Sequence, residues 1–362
     1  MALIQRLPAE IVYKLIEEFS HDHEYPSPCS CRMRSCEQKA VEKDQLLTNS
    51  ALAVLGRTCR FFHELTARQL YRYPVVSSMA KAWHLVRTLL ARPDLARHVK
   101  RLSFNNWTQA DDAALPDEVV AYLTQPAKYM RIRGASKTQL TQDRVSQAVA
   151  RPLLIDVLLT LCPGLENLYA RFDSWSYEAF GLCTPGSLPS LTAIELYHDI
   201  KPNFRLGALV SLLRAAPNLE ELRLWNIEGG AAEIPEDLVL EHVKTIRLRQ
   251  CNIDAQTLGH VLAMCPNVEL LTFEPPLDGP YNVFGPRELV QMVVEYGRNL
   301  RKLRIYWTNV IDEGEADYDE DDIADAMAEL GGLMGIRCLF YPVPRRLLEQ
   351  FIGEWGRSQP DF

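Results

Sequence analysis

A single pattern, L-x-x-L-x-L, returns along this chain at nearly constant spacing, and such a recurrence constrains the fold more than any isolated segment can. Its clearest copy is Leu219-x-x-Leu222-x-Leu224, within APNLEELRLWNI (215–226). Val99-x-x-Leu102-x-Phe104, Leu165-x-x-Leu168-x-Ala170 and Leu191-x-x-Ile194-x-Leu196 precede it. Val243-x-x-Ile246-x-Leu248, Val268-x-x-Leu271-x-Phe273 and Leu300-x-x-Leu303-x-Ile305 follow it. From Leu165 to Leu300 the successive starts lie 26, 28, 24, 25 and 32 residues apart. Alternating apolar positions over so short a run predict a strand with one buried face.

Between the strands, RPLLIDVLLTLCPGL, RLGALVSLLRAAPNL, DAQTLGHVLAMCPNV and PRELVQMVVEYGRNL carry apolar residues at helical spacing. Three of these end in Cys-Pro or Ala-Pro and the fourth in Gly-Arg-Asn, each a helix stop just before the next strand. The expected unit is strand, loop, helix, turn. One unit cannot bury its strand leucines alone, whereas stacked units share a continuous core. The predicted class is therefore α/β: a curved parallel sheet with outer helices, over residues 76–362. Two stretches interrupt the rhythm. One, near 105–150, holds KYMRIRGASK; the other, DEGEADYDEDD at 312–322, is strongly acidic, and both read as solvated loops. A last helix over Asp322–Leu330 and a weak strand near Ile336–Tyr341 are expected to cap the array.

Composition narrows the function. The 362 residues are 47% hydrophobic and 24% charged, as in soluble folded chains. A formal charge of −8 argues against phosphate-backbone binding, so no nucleic-acid partner is expected. The longest apolar run, Leu153–Leu165, is short and carries Asp156, so no membrane span is expected. No secretory signal is read at the amino terminus, and nine scattered cysteines suit a reducing compartment, cytoplasm or nucleus. No G-x-S-x-G, P-loop, H-E-x-x-H or Rossmann glycine pattern occurs, so no catalytic residue and no cofactor are assigned. His198, His242, His260, Cys162 and Cys265 fall in or beside repeat elements, where packing and surface roles suffice.

Residues 1–75 do not repeat and read as a small helical module. LPAEIVYKLIEEF opens a helix with Pro8 in its first turn and an apolar stripe of Ile11, Leu15 and Phe19. A second stripe follows in Leu52, Leu55, Cys59, Phe62 and Leu65. Leu7-Pro8-x-Glu10-Ile11, Leu15-Ile16 and Thr58-Cys59-Arg60-Phe61-Phe62-x-x-Leu65 resemble an F-box motif. With the repeats behind it, and LLARPDLARHVKRLSF at the junction, the chain resembles the F-box/leucine-rich-repeat proteins of fungal type. Cys251 and Ile253 then match the longer repeat motif L-x-x-L-x-L-x-x-N/C-x-L, with Cys251 a small buried filler.

That resemblance implies the substrate receptor of an SCF-type ubiquitin ligase. The F-box would dock on a Skp-family adaptor, and through it a cullin, while the repeats hold the protein to be modified. Carried over by position, the adaptor-contacting residues are Leu7, Pro8, Ile11, Leu15, Ile16, Leu55, Cys59 and Phe62, unless they pack the module's own core. The chain departs from the family in an insertion over residues 20–45. There His21, His23, Cys29, Cys31 and Cys36 crowd together, yet without paired C-x2-C knuckles they make only a weak zinc candidate and no metal is assigned.

Substrate capture is expected on the strand residues that alternate with the leucines, at the concave face of the solenoid. These include Tyr169, Arg171, Tyr197, Arg223, Trp225, Arg247, Arg249, Arg304 and Tyr306. Of the outward positions seven are basic and three acidic although the whole chain is negative, so the face is expected to prefer an acidic or phosphorylated segment. The alternative is a non-catalytic repeat scaffold, or an adaptor-only interaction protein, that takes no part in ubiquitination.

Overall fold

The computed structural model describes Ile11, Lys14 and residues 47–107, 147–172, 180–181, 183–198, 204–274, 286–306 and 337–341. Nine parallel strands form one sheet, and every repeat predicted from the sequence supplies one of them. They are β1 (Val75–Val76), β2 (Arg101–Trp107), β3 (Asn167–Phe172), β4 (Ala193–His198), β6 (Glu221–Trp225), β8 (Thr245–Arg249), β10 (Leu270–Glu274), β11 (Lys302–Tyr306) and β12 (Arg337–Tyr341), which neighbour one another in that order. The weak strand expected near 336–341 is therefore present as β12. A second, three-stranded parallel sheet joins β5 (Phe204–Arg205), β7 (Ile227–Gly229) and β9 (Asn252–Ile253).

Register follows the sequence repeat. Leu102 pairs with Leu168, then Ile194, Leu222, Ile246, Leu271 and Leu303 in succession. All twenty-one residues at the three apolar positions of the seven motifs are at most 5% exposed. A one-residue slip of any strand would turn its leucines outward, so burial on one face fixes the register.

The turn before each strand is built the same way. The carbonyl of Lys100 accepts from both Glu166 N–H and Asn167 N–H, and that of Glu166 accepts from Thr192 and Ala193. Thr192, Glu220, Lys244 and Glu269 repeat the arrangement with the next two amides in turn, and Arg72 starts it toward Lys100 and Arg101. Asparagine side chains add a second series. Asn218 donates to Pro189 O (2.8 Å), Asn267 to Glu241 O (2.8 Å) and Asn299 to Pro266 O (2.9 Å). Each side chain thus satisfies a carbonyl of the preceding repeat.

Helices line the sheet less uniformly than the sequence suggests. Residues 47–56 (α1) and Arg60–Leu70 (α2) belong to the amino-terminal module. Met79–Ala91 (α3) and Pro93–Ala96 (α4) precede β2, and Gln147–Leu161 (α5) precedes β3. Val210–Ala215 (α6), extended by a 3-10 turn over Leu206–Leu209, leads to β6. Ala255–Met264 (α7) and Pro286–Tyr296 (α8) lead to β10 and β11. Between β6 and β8 only a 3-10 turn, Ala231–Glu233, stands where the repeat called for a helix. Gly229, Gly230 and Pro235 explain it: two glycines and a proline within seven residues leave no uninterrupted helical turn.

Local chemistry sets the helix ends. Asp254 caps α7, its carboxylate accepting from Thr257 N–H at 2.7 Å, and Ser78 caps α3 through Lys81 N–H. Helices α3 and α5 pack together, as do α7 and α8. At the latter contact a Cβ on Gly259 would lie 2.9 Å from Met292 Sδ and 3.1 Å from Tyr296 Cε2, so glycine allows the close approach. The boundary read at residue 75 falls inside β1, and Ala67 of α2 and Tyr71 just beyond it pack against the main core.

Candidate functional site: the outward face of the sheet

The strand positions that alternate with the buried leucines fall, by register, into three rows across the sheet. The first runs Arg101, Asn167, Ala193, Glu221, Thr245, Leu270, Lys302 and Arg337. The second runs Ser103, Tyr169, Glu195, Arg223, Arg247, Thr272, Arg304 and Leu339. The third contains Arg171, Tyr197, Trp225, Arg249 and Glu274, with Tyr306 opposite Tyr341 further along. Nearly all the residues nominated from sequence as substrate contacts therefore sit side by side on one surface.

They are not, however, the open surface that alternation alone implies. Tyr169, Trp225 and Arg249 are buried, and Arg171, Tyr197, Arg223, Arg247 and Arg304 are half-buried. Parallel strands stand about 4.8 Å apart, so long side chains in a row press against one another and shield their own stems. Periodicity reports which way a side chain points and says nothing of its lateral neighbours.

Much of the positive charge is engaged within the chain. Arg223 Nη2 donates to Glu221 at 2.7 Å and its Nη1 to Glu195 at 3.2 Å. Burial weighs most heavily on Arg223 and favours its neutral form, yet these two carboxylates outweigh it and hold the guanidinium more basic than usual. Arg247 Nε lies 3.4 Å from the other oxygen of Glu221. Its balance falls the opposite way: burial, then Arg223, Arg249 and Arg304, lower its pKa against Glu221 alone. Arg249 Nε lies 3.7 Å from Glu274, and its guanidinium sits 5.9 Å from the centre of the Trp225 ring. Trp225 in turn contacts Tyr197, at 6.0 Å between ring centres, and Arg171 lies over Tyr197 at 5.2 Å. The face is thus a packed aromatic and ion-pair layer with its cations distributed unevenly.

The helices of the amino-terminal module carry the second group of nominated residues. Leu52, Phe62 and Leu65 form a small core, with Leu55, Cys59 and Leu70 packed against it. Phe62, expected on the basis of the resemblance to touch an adaptor, is instead buried among the module's own side chains. Ile11 is 44% exposed, whereas Leu7, Pro8, Leu15 and Ile16 lie outside the described residues. Among the described residues of this module, three apolar side chains that were not nominated stand in solvent: Leu47, Val54 (62% exposed) and Phe61 (42% exposed). Phe61 is adjacent to Phe62 in the resembling motif, and the one-residue difference in phase decides which ring is buried.

His21, His23, Cys29, Cys31 and Cys36 lie outside the described residues, as do KYMRIRGASK, the acidic stretch 312–322 and the helix expected over Asp322–Leu330. Among the described residues no group of His, Cys, Asp and Glu could hold a metal, and no helix is long and apolar enough to cross a membrane. Cys251 sits where the repeat puts it. It is buried, with Sγ 3.4 Å from Arg249 O and 3.5 Å from Leu224 O, so its thiol links neighbouring strands at the turn. Burial pushes the Cys162, Cys251 and Cys265 thiols up to about 12, which leaves them protonated and inert at neutral pH. The chain matches no family model, and no curated protein is similar enough to match it.

Proposed function

We propose that this chain is the substrate-recognition subunit of an SCF-type ubiquitin ligase, built as an F-box module followed by a leucine-rich-repeat solenoid. The observation that carries this reading is the combination in one chain of two features. A helical module with its own small core and exposed Leu47, Val54 and Phe61 comes first. A ladder of in-register strands whose outward rows are rich in Arg, Tyr and Trp comes after it. Exposed apolar side chains on a module too small to be comfortable alone fit docking on a Skp-family adaptor, and arginine and aromatics are the residues that dominate protein interfaces. The chain itself does no bond chemistry. It acts by proximity, holding a protein substrate where a conjugating enzyme carried by the adaptor and cullin can reach its lysines. Such a protein works in the cytoplasm or nucleus.

Co-expression of the full chain with a Skp-family adaptor and a cullin tests this reading. Wild-type chain should recover both, and Val54→Glu with Phe61→Glu should recover neither while its circular dichroism stays unchanged, since both side chains are exposed. Equal recovery by the folded double variant would overturn the docking surface. Recovery of adaptor without cullin would favour an adaptor-binding protein outside ubiquitination.

A further inference from the structure

The second outward row is electrostatically lopsided. Arg223 is matched by two carboxylates, Glu195 and Glu221. Arg247 has only a share of Glu221 among the described residues. Arg304, two strands further on, has no carboxylate within ion-pairing distance among the described residues, and the nearby charge it meets is Arg247. The Nε atoms of Arg223, Arg247 and Arg304 are all buried without a hydrogen-bond partner among the described residues. Arg223 is held instead through its Nη atoms and Arg247 Nε only by an ion pair at 3.4 Å to Glu221, which leaves Arg304 the least engaged. Buried donors of this kind are rare in folded proteins and mark places where water, an ion or a ligand supplies the acceptor.

The geometry between the two suits one small acceptor group. Thr272 separates them in the row, so their backbones stand about 9–10 Å apart, twice the inter-strand spacing. Two long side chains flanking a short one can converge above it. On β11, the next strand, the two described outward positions are Lys302 and Arg304, neither of them an acid. The carboxylates of the two rows, Glu195 and Glu221, stand on β4 and β6 on the other side of Arg247. In the third row Glu274 on β10 is engaged with Arg249. A segment lying across the second row therefore meets the ion-paired Glu195, Glu221 and Arg223 first, and then Arg247 and Arg304.

We propose that Arg247 and Arg304, straddling Thr272, form an oxyanion-binding subsite that takes one phosphate-monoester or carboxylate group from a polypeptide laid across β8, β10 and β11. The proposal rests on the reading of the strand face as a capture surface. Planar guanidinium forks bind such groups through paired charge-assisted hydrogen bonds. The incoming anion supplies the acceptors that the two Nε–H groups lack and offsets the mutual repulsion of the arginines. Arg223, already held by two carboxylates, positions Glu221 and takes no part in the capture.

Arginine-15N-labelled full chain, titrated with inorganic phosphate and separately with acetate at constant ionic strength, tests the subsite through its Nε–H resonances. Arg247→Lys and Arg304→Lys assign the two signals. Both should shift saturably, and Arg304→Gln should weaken the response at least about tenfold, the scale of one lost charge-assisted bond. A response to phosphate and not acetate identifies a phosphorylated segment; a response to both identifies an acidic one as well. If Arg304→Gln does not fold, Arg304→Lys carries the test, since lysine keeps the charge but lacks the fork and should also bind more weakly. Unmoved resonances, or a Gln or Lys variant that titrates like wild type, would overturn the proposal. Adaptor recovery is measured on the same preparations. Anion binding retained without adaptor binding would remove the ligase reading and leave the subsite standing, and the reverse result would do the opposite.

Discussion

Glu221 is the carboxylate on which the arginine layer most depends, and replacing it with Gln should separate structural arginines from receptive ones. The substitution keeps shape and removes the charge facing both Arg223 (2.7 Å) and Arg247 (3.4 Å). Arg223 retains Glu195, but Arg247 is left among cations with its side chain only 11% exposed. Breaking a fully buried pair costs about 3–5 kcal/mol and an exposed one about 0–1 kcal/mol. Glu221 is 23% exposed, so the expected loss is about 2–3 kcal/mol. Urea unfolding followed by tryptophan fluorescence reads it, with Trp225 reporting from the same face. Arg304→Gln is the control of opposite sign. Removing a cation that has no carboxylate partner among the described residues should leave stability unchanged or slightly raised, most clearly at low salt. Glu221→Gln within about 0.5 kcal/mol of wild type, or Arg304→Gln as damaging as Glu221→Gln, would refute the account of how charge is distributed on this face.

Asn267→Ala removes the bond to Glu241 O and an acceptor for Asn299, and should cost about 1 kcal/mol in urea unfolding; no measurable loss would make the asparagine series incidental. Cys162, Cys251 and Cys265 should resist iodoacetamide at pH 8.5 in the folded chain and react once urea unfolds it, as read by mass spectrometry. Burial raises these thiols from 9.0 to about 12, so the unfolded chain releases their protons first as pH climbs. Their contribution to stability is complete below pH 9 and declines toward pH 12, and a chain equally stable at pH 8 and pH 10.5 would contradict the burial.

The repeat was legible because apolar spacing and strand register are the same physical fact: Leu102, Leu168 and Ile194 align in sequence and pair in space. Even β12, weak in the sequence, is found within one residue of its expected bounds. The second sheet leaves no trace in the sequence because strands of two or three residues, such as Phe204–Arg205, carry no period. The missing helix between β6 and β8 had a visible signal in Gly229, Gly230 and Pro235 that uniform expectation overrode. On the candidate face, pattern gave direction but not environment. Arg223 and Arg304 occupy equivalent positions in the repeat, yet one is ion-paired twice and the other has no ion pair among the described residues, a difference set by neighbouring strands. In the amino-terminal module Phe61 and Phe62 were separable only by knowing where Leu52 and Leu65 pack.

The paired amides at each turn have a consequence for how this chain tolerates changes in length. Each carbonyl from Arg72 to Glu269 receives two N–H groups from the next repeat, so an added or deleted residue at that edge would leave donors without an acceptor. At the carboxyl ends of β4, β6 and β8 the chain is tied differently, through the short strands β5, β7 and β9 and through Asn226 N–H donating to Arg249 O. The length between successive strands varies widely, with 59 residues separating Trp107 from Asn167 and only 19 separating Trp225 from Thr245. One edge of the sheet sets the count of repeats, while at the other the longest inserted stretch lies between Trp107 and Gln147. Tags, loops or binding segments grafted after Glu274 or Tyr306 should therefore leave the ladder in register, whereas the same insertions after Glu220 or Lys244 should shift every strand that follows.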